Sequence, residues 1–442
     1  MIKIKKSKEF LNRSKSQFFQ FLFLLIGITV LFTTEDWRYK EGKKREYLEQ
    51  IKRPTQGMEE LKEPWLLEGD APKVLINHVG YEEGGEKTAY FLGTEDRNFQ
   101  VISYETGEAV FTGVIEYKEK TAIGDFSQVK EPGCYFIWTK NMGSSYLFSI
   151  DTGIYENEAR KILDKIEKRQ RKDTGVETKV LTDCLLAYFY FQERMETEES
   201  SILEKIKPGI DWLLSLQEED GGVHQGIEGG IKKGVSSEST GRFAATLAMF
   251  SQAYRDYNKE YSEECKKAAL LAWNFLENYH PLVLSGEKVL KDEEERRWAA
   301  AQLYNLTGSP IYRRLVEETM DMGKEAYGKE ENVYSILSYL TAKHPIDIEM
   351  CTNLMGRLLT EASSVSRKWS EMNHEMDKGD RERLYREPLL LMYAQYVAPS
   401  KQYETAIKAQ IDYFLGCNKD NVRFLEIDGM EGVLYFLLNY KM

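Results

Sequence analysis

The chain has 442 residues, of which 42% are hydrophobic and 30% are charged, and its formal net charge is −12. This length exceeds one ordinary hydrophobic core, so two or three folded units are expected. The acidic balance argues against a nucleic-acid partner, because nothing in the sequence resembles a basic face that would displace phosphate counterions. The five cysteines are single and widely spaced, which is typical of small core residues and not of a metal cluster or disulfide framework.

An uncharged apolar run, FFQFLFLLIGITVLFTT, occupies residues 18–34. It is near the minimum length for spanning a bilayer. Lysine and arginine residues precede it and acidic residues follow it, so the positive-inside rule places the N-terminus in the cytoplasm. A cleaved signal peptide is the alternative, but no small-x-small cleavage site follows the run. We therefore predict a cytoplasmic tail (1–17), a single-pass membrane anchor (18–34) and a stalk (35–71), with the bulk of the chain extracellular.

Short runs rich in Val, Ile, Tyr and Phe alternate with turn residues between Lys73 and Ile150. Runs at this spacing predict an immunoglobulin-like β-sandwich over residues 72–151. The six predicted strands are VLINHVGY (74–81), KTAYFLG (87–93), FQVISY (99–104), AVFTGVI (109–115), CYFIWT (134–139) and SYLFSI (145–150).

Apolar residues three and four positions apart recur through residues 152–442. This period predicts helices in an all-α array, although the number of helices does not separate a closed α/α barrel from a solenoid. Gly308 is expected to end one helix, and Pro310 to prevent its continuation. The clearest predicted helices span residues 180–191, 206–217, 241–257, 265–279 and 296–308.

Several motifs occur in one order along both predicted domains. They are NHVGY (77–81), ETGEAVFTG (105–113), DFSQVKEPGCYFI (125–137), IDWLLSLQEEDGGVH (210–224), GVSSESTGRFAATLAMFSQAYRDY (234–257), DEEERRWAAAQLYNLTGSPIY (292–312) and AIKAQIDYFLGCN (406–418). Together they resemble the immunoglobulin-like module and the catalytic domain of family 9 glycoside hydrolases, the cellulase group. The resemblance implies a six-hairpin α/α barrel, shortened here and not necessarily complete. It also implies hydrolysis of β-1,4-linked glucans by inversion, with an aspartate base and a glutamate acid.

The family's base motif, Asp-Ala-Gly-Asp, corresponds to DTGVETK (173–179). Asp173 and Gly175 fit, whereas the second aspartate, which the resemblance makes the base, falls on Val176. Glu177 is the candidate substitute. A general base is worth about 10²- to 10⁴-fold in rate, so Val176 predicts weak or lost hydrolysis. Asp173 keeps two interpretations, as the N-cap of the following helix or as a surviving catalytic or sugar-binding residue.

The family's acid lies shortly before its final helix. Here only 24 residues follow Asn418, and they contain no histidine, so the family's His-Arg substrate-binding stretch is missing. Glu426 is the candidate acid, with Glu431 as the alternative. Each is also explained as a glutamate at a turn or at the start of a helix.

Three further residues are candidates for substrate binding, namely His224, Trp298 and Tyr304. His224 follows a glycine-rich loop, and the two aromatic residues could stack on sugar rings, although aromatic residues at helical spacing usually pack in the core. No motif for a metal or cofactor is present, and no acidic run matches the calcium site that family 9 members often carry.

Two functions follow from these observations. The first is a membrane-anchored family 9-type hydrolase that acts on β-1,4-glucan or related β-linked saccharides, with Asp173, Glu177 and Glu426 as its carboxylates. The second is a catalytically inactive module that binds a glycan or serves as a scaffold at the cell surface. Val176 and the shortened C-terminus favour the second, and the ordered motifs favour the first.

Overall fold

The computed structural model describes the chain from residue 72 to residue 441, except for 94–95, 119–120, 192–198, 279–291, 321–326, 328–329, 372–380, 422 and 425–428. The predicted tail, membrane anchor and stalk therefore lie outside the described residues. Among the helices that are described, none is long and apolar enough to cross a membrane.

Ten strands of the described N-terminal region form two sheets. They are β1 (Val74–Leu75), β2 (Tyr81–Glu82), β3 (Thr88–Phe91), β4 (Asn98–Ser103), β5 (Ala109–Val114), β6 (Glu116–Lys118), β7 (Thr121–Asp125), β8 (Gly133–Thr139), β9 (Gly143–Ser144) and β10 (Phe148–Asp151). One sheet has the order β1-β3-β7-β6 and the other β2-β10-β8-β4-β5, with β9 beside β8. Alternate residues of both sheets meet in one apolar core. The predicted immunoglobulin-like β region is confirmed.

Strands β6 and β7 are not predicted by the sequence pattern, because this segment contains charges and a glycine in place of an apolar run. They form through pairing, since residues Ala122–Asp125 of β7 are antiparallel to β3 and β6 is antiparallel to β7. The ring of Phe99 explains two glycines in these sheets. A Cβ placed on Gly113 or Gly124 would lie 2.4 Å from that ring, so both positions must stay small.

Asp96 links the residues before β4 to the turn between β8 and β9. Its carboxylate accepts hydrogen bonds from the backbone N–H of Asn141 (2.8 Å) and of Met142 (2.9 Å), and from the side chain of Asn141 (2.8 Å). Burial alone raises the pKa of Asp96, but these hydrogen bonds outweigh burial and hold the pKa below its ordinary value. The ionised form is therefore the one that stabilises the turn.

We expect Asp96→Asn to lower the free energy of unfolding by about 1–3 kcal/mol at neutral pH, because buried donors lose a charged acceptor. Since the folded-state pKa lies below the unfolded-state value, the contribution is present above the unfolded pKa and is lost as the pH falls through the folded pKa. Urea unfolding at neutral and at acidic pH measures this difference, with the exposed carboxylate of Glu105, changed to Gln, as the control. A difference that does not shrink on acidification would contradict the assignment.

Two of the family-like motifs meet where the β-sandwich contacts the helical region. The backbone N–H of His78 donates to the carbonyl of Leu415 at 2.9 Å, and the side chain of Asn77 donates to Asp412 at 3.3 Å. Gly416 has a φ of 130°, and a Cβ on it would lie 2.5 Å from the ring of His78. The NHVGY and DYFLGCN motifs therefore form one structural joint between the two regions.

Twelve helices of the described chain form two concentric layers. They are α1 (Ile154–Lys168), α2 (Thr174–Phe191), α3 (Glu199–Leu214), α4 (Ser237–Tyr254), α5 (Lys259–Asn278), α6 (Glu293–Thr307), α7 (Pro310–Thr319), α8 (Glu330–Leu340), α9 (Ile348–Glu371), α10 (Arg381–Val397), α11 (Lys401–Phe414) and α12 (Met430–Lys441). The even-numbered helices pack side by side in sequence, and α12 packs against α2. The inner ring is therefore closed, so the array is a six-hairpin barrel and not a solenoid.

Local signals set several helix ends. Ser236 caps α4 by accepting a hydrogen bond from the backbone N–H of Ser239 at 3.1 Å. Gly308 follows α6 in the left-handed conformation with a φ of 69°, and its N–H donates to the carbonyl of Tyr304 at 2.8 Å. Pro310 then begins α7, where its missing N–H costs no helical hydrogen bond. The predicted end at Gly308 is confirmed.

Candidate functional site

The six inner helices begin at the same end of the barrel, because each alternates with an outer helix that runs in the opposite direction. We call this end the barrel mouth and define it by Asp173, Val176, Arg242, Glu295 and Glu331, which lie at or near the starts of α2, α4, α6 and α8. Helix N-termini present unpaired N–H groups and a partial positive charge. The mouth is therefore suited to hydroxyl and carboxylate groups.

Asp173 caps α2 at the mouth. Its Oδ1 atom accepts a hydrogen bond from the backbone N–H of Val176 at 3.0 Å, and the side chain is exposed. This hydrogen bond is the contact that the interpretation of Asp173 as the N-cap of α2 requires. An exposed cap at a barrel mouth also leaves a carboxylate in reach of a ligand, so capping and sugar binding are compatible.

The segment that leads into a short hairpin holds the start of α2 in place. The strands of this hairpin are β11 (Ile227–Glu228) and β12 (Ile231–Lys232). The hydroxyl of Thr174 donates to the carbonyl of His224 at 2.7 Å, and the backbone N–H of Thr174 donates to the carbonyl of Gln225 at 3.0 Å. These bonds fix the loop that carries the family-like base motif.

His224 was predicted to face a ligand, and its ring instead contacts protein groups. The Nε2 atom lies 2.6 Å from a carboxylate oxygen of Glu218, and the Nδ1 atom is hydrogen-bonded to the carbonyl of Lys233. Only 15% of the side chain is exposed. With both ring nitrogens occupied, His224 supports the start of α2 and has no nitrogen left for a sugar.

Glu177, the predicted substitute base, is buried between α2 and the outer layer. Its carboxylate lies 2.9 Å from Nε of Arg171 and 3.7 Å from Nη1 of Arg169. A Cβ on Gly209 of the outer helix α3 would lie 2.4 Å from Oε1 of Glu177. Burial raises the pKa of Glu177, and the two arginines oppose that rise. The prediction fails on geometry, because this carboxylate points away from the mouth and cannot meet a water there.

Val176 stands in the third position of α2, where the resemblance places the family's base. A Cβ on Gly429 would lie 3.3 Å from Cγ1 of Val176 and 3.3 Å from the hydroxyl of Tyr385. Gly429, which directly precedes α12, therefore lies beside this position. A valine side chain has no group that accepts a proton, so no base is present at this point.

A polar cluster lies below Val176 inside the barrel. Nζ of Lys179 lies 3.3 Å from Oδ2 of Asp183 and 3.9 Å from the centre of the Tyr385 ring. The hydroxyl of Tyr334 donates to Oδ1 of Asp183 at 2.6 Å. Burial raises the pKa of Asp183, while Lys179 and Tyr334 oppose the rise. Asp183 is fully buried, and its hydrogen bond with Tyr334 joins α2 to α8.

Arg242 joins three inner helices at the mouth. Its Nη2 atom lies 3.0 Å from Glu295 and 2.6 Å from Glu331. A Cβ on Gly175 would lie 2.7 Å from Nη1 of Arg242 and 3.2 Å from Oδ1 of Asp173, so the arginine also borders the base motif. Burial raises the pKa of Glu295, and Arg242 opposes the rise. The acidic starts of α6 and α8 are the one hint of this network in the sequence.

The two candidates for the acid have different outcomes. Glu426 lies outside the described residues, so its role stays a prediction. Glu431 is buried, with Oε1 3.4 Å from Nζ of Lys165 and Oε2 accepting the backbone N–H of Gly429 at 2.9 Å. Lys165 belongs to the outer helix α1, so the Glu431 carboxylate faces the space between the layers. Glu431 is therefore a poor substitute for an acid at the mouth.

The predicted aromatic platforms are both in the core, each with 2% exposure. Trp298 stacks on Tyr334 with the ring centres 4.9 Å apart, and the hydroxyl of Tyr304 donates to the carbonyl of Pro345. A buried ring offers no face to a pyranose, so these two predictions are corrected. In the described part of the chain, no group of three or more His, Cys, Asp or Glu side chains is placed to hold a metal ion.

Comparison with known families agrees with this architecture. Residues 176–426 match glycosyl hydrolase family 9, and residues 70–144 match the cellulase N-terminal ig-like domain. The first match covers more than half of the chain. The chain therefore belongs to glycosyl hydrolase family 9.

Three characterised proteins are similar to the chain at low identity. Endoglucanase D of Acetivibrio thermocellus is 24% identical over 79% of this chain and 72% of that protein. A cellodextrinase of Butyrivibrio fibrisolvens is 23% identical over 81% of this chain and 85% of its own length. A xyloglucan-specific endo-beta-1,4-glucanase of Bacteroides ovatus is 22% identical over 78% of each chain.

Two solved structures share the fold. A metagenome-derived family 9 endoglucanase superposes with a TM-score of 0.66 at 19% identity, over 78% of this chain and 83% of that one. The enzyme AaCel9A, determined with a cellobiose-like isofagomine, superposes with a TM-score of 0.65 at 20% identity, over 78% of this chain and 82% of that one. At these identities the likeness establishes the fold alone.

Proposed function

We propose that this chain is a glucan-binding member of family 9 that does not hydrolyse its ligand by the family's inverting mechanism. The observation that carries the proposal is Val176, which stands where the resemblance places the base and lies beside Gly429. Inversion needs a carboxylate that activates a water on the far side of the sugar. Glu177 is the nearest substitute in the sequence, but its carboxylate forms an ion pair with Arg171 in the buried space between the inner and outer helices.

The ligand class is proposed from the family and from the named substrates of its members. The similar proteins are an endoglucanase, a cellodextrinase and a xyloglucan-specific endo-beta-1,4-glucanase. Two of these names refer to glucans and one of them specifies the β-1,4 linkage, so we take a β-1,4-linked glucan chain as the ligand class. The N-terminal apolar run adds a location, since an anchor at residues 18–34 would hold the barrel at the outer face of the cell membrane.

A second candidate function is slow hydrolysis with Asp173 as the base and Glu426 as the acid. One observation favours it, namely that the Asp173 carboxylate is exposed at the mouth, three residues before Val176. In this arrangement Oδ1 of Asp173 would keep its hydrogen bond from the backbone N–H of Val176, and the same carboxylate would also polarise a water.

The test uses the full chain in a detergent without sugar groups. We expect cellohexaose to bind in calorimetry, and we expect no release of reducing sugar from carboxymethylcellulose or from mixed-linkage β-glucan. Asp173→Asn and Glu426→Gln are the matched variants. Release that either variant abolishes would overturn the proposal and establish the second candidate. Absence of both release and binding would leave a purely structural domain.

Carbonate extraction of membranes, which an anchored chain should resist, checks the location.

A further inference from the structure

The outer face of the larger sheet carries a row of four side chains that crosses the strands. Gln100 of β4 is paired with Thr112 of β5 and with Trp138 of β8, and Trp138 is paired with Ser144 of β9. Directly paired residues point to the same side of a sheet. We call these four residues the sheet platform.

The sheet platform faces away from the core of the β-sandwich. The intervening residues Phe99, Val101 and Ile137 belong to that core, so their neighbours along each strand point outward. Trp138 is 36% exposed, and Thr112 is also exposed. The platform thus presents an indole, an amide and two hydroxyl groups, and none of them carries a charge.

Apolar side chains flank the row on the same face. Val110 and Val114 of β5 are 49% and 66% exposed. Ile102 and Phe136, the next pair on this face, are buried beside the platform. The sheet platform has one exposed indole, with hydrogen-bonding groups in line with it and apolar side chains along its margins. Its four side chains include no acid or base that could catalyse a reaction. It has the chemistry of a surface that binds an uncharged amphipathic ligand.

We propose that the sheet platform binds a β-1,4-glucan chain that lies across the strands, with one sugar ring stacked on Trp138. Pyranose rings have apolar faces and hydroxyl edges, which match the indole and the flanking Gln100 and Thr112. Neighbouring strands lie about 4.8 Å apart, close to the advance per sugar in an extended β-1,4 chain. Successive residues of the row therefore meet successive sugars. The ligand is neutral, as is the platform.

This inference rests on the proposed function for the identity of the glycan, and it adds a second site on the same chain. Two weak sites on one chain bind a polymer more tightly than either alone, since binding at one raises the effective concentration at the other. The β-sandwich would then hold a second stretch of the polymer that the barrel binds. A protein partner or a second copy of the chain on this face is the competing occupant, which the following test separates.

The test titrates the full chain, in a detergent without sugar groups, with cellohexaose by calorimetry and with insoluble cellulose by pull-down. We expect Trp138→Ala to lose one of two cellohexaose sites, or to weaken it about tenfold, a change of roughly 1.4 kcal/mol. Trp138→Tyr keeps an aromatic face and should restore binding. Tyr257→Ala is the matched control, because Tyr257 is 39% exposed on the helical domain.

The outcomes separate this site from the barrel mouth. One site that persists unchanged in Trp138→Ala would overturn the sheet platform and leave the proposed function intact. Loss of all binding in Trp138→Ala, with restoration in Trp138→Tyr, would support the platform and count against glucan binding at the mouth. Equal glucan binding in both alanine variants, together with a Trp138-dependent change of oligomeric mass, would assign the face to a second copy.

Discussion

Val176→Asp is expected to raise the hydrolysis of dinitrophenyl β-cellobioside by about 10²- to 10⁴-fold over the natural chain, which is the usual contribution of a general base. The substitution returns a carboxylate to the position that the family uses for activating water. An activated leaving group needs no protonation, so the measurement isolates the base from the acid. Natural glucans should gain less if Glu426 does not serve as the acid.

The fold is expected to accept this aspartate. Position 176 is the third residue of α2, where an anion gains about 0.3–1 kcal/mol from the helix N-terminus. The side chains of valine and aspartate have similar volumes, so the contact with Gly429 should persist. Initial rates for the natural chain, Val176→Asp and Val176→Asn are compared, because asparagine has the same shape and cannot take a proton.

Two outcomes would contradict the assignment of Val176 as the missing base. Equal rates in the aspartate and asparagine variants would show that the carboxylate is not positioned to activate water. A natural chain already as fast as Val176→Asp would show that another group, such as the exposed carboxylate of Asp173, performs that step.

The sequence predicts the architecture well because the fold depends on patterns of local origin. Alternating strands, helical periods and the Gly308 end can each be recognised from a few neighbouring residues. The NHVGY and DYFLGCN motifs were informative for a different reason: they meet in space, where Gly416 leaves room for the ring of His78. Closure of the barrel depends on α12 packing against α2, far away in sequence, and no local pattern contains that information.

The candidate site is less predictable because burial is decided by neighbours that are distant in the chain. Glu177 resembles a usable carboxylate until α3 packs over it. Trp298 resembles a sugar platform until Tyr334 of another helix stacks on it. The acidic starts of α6 and α8 do not reveal that Arg242 bridges Glu295 and Glu331, since the three residues come from three inner helices. A helical period identifies a face of a helix, but not what covers it.

Glu177→Ala is expected to lower the free energy of unfolding by about 3–5 kcal/mol, the range for breaking a buried ion pair by removing one partner. The Glu177 side chain is 1% exposed, and its partners Arg169 and Arg171 are 7% and 12% exposed. Removing the carboxylate leaves two largely buried cations without the anion they share. It also opens a cavity beside α3, which adds to the loss.

Glu177→Gln is expected to cost less than the alanine variant, because it fills the same volume and because burial already penalises the charged carboxylate, as the raised pKa of Glu177 indicates. Urea unfolding of the full chain in detergent measures both variants. Glu156→Gln is the control, since its ion pair with Arg160 is about half exposed on each side and such pairs contribute about 0.3–0.5 kcal/mol. If all three variants unfold alike, Glu177 is not a structural ion-pair partner, and the exclusion of this carboxylate from the chemistry of the mouth would lose its basis.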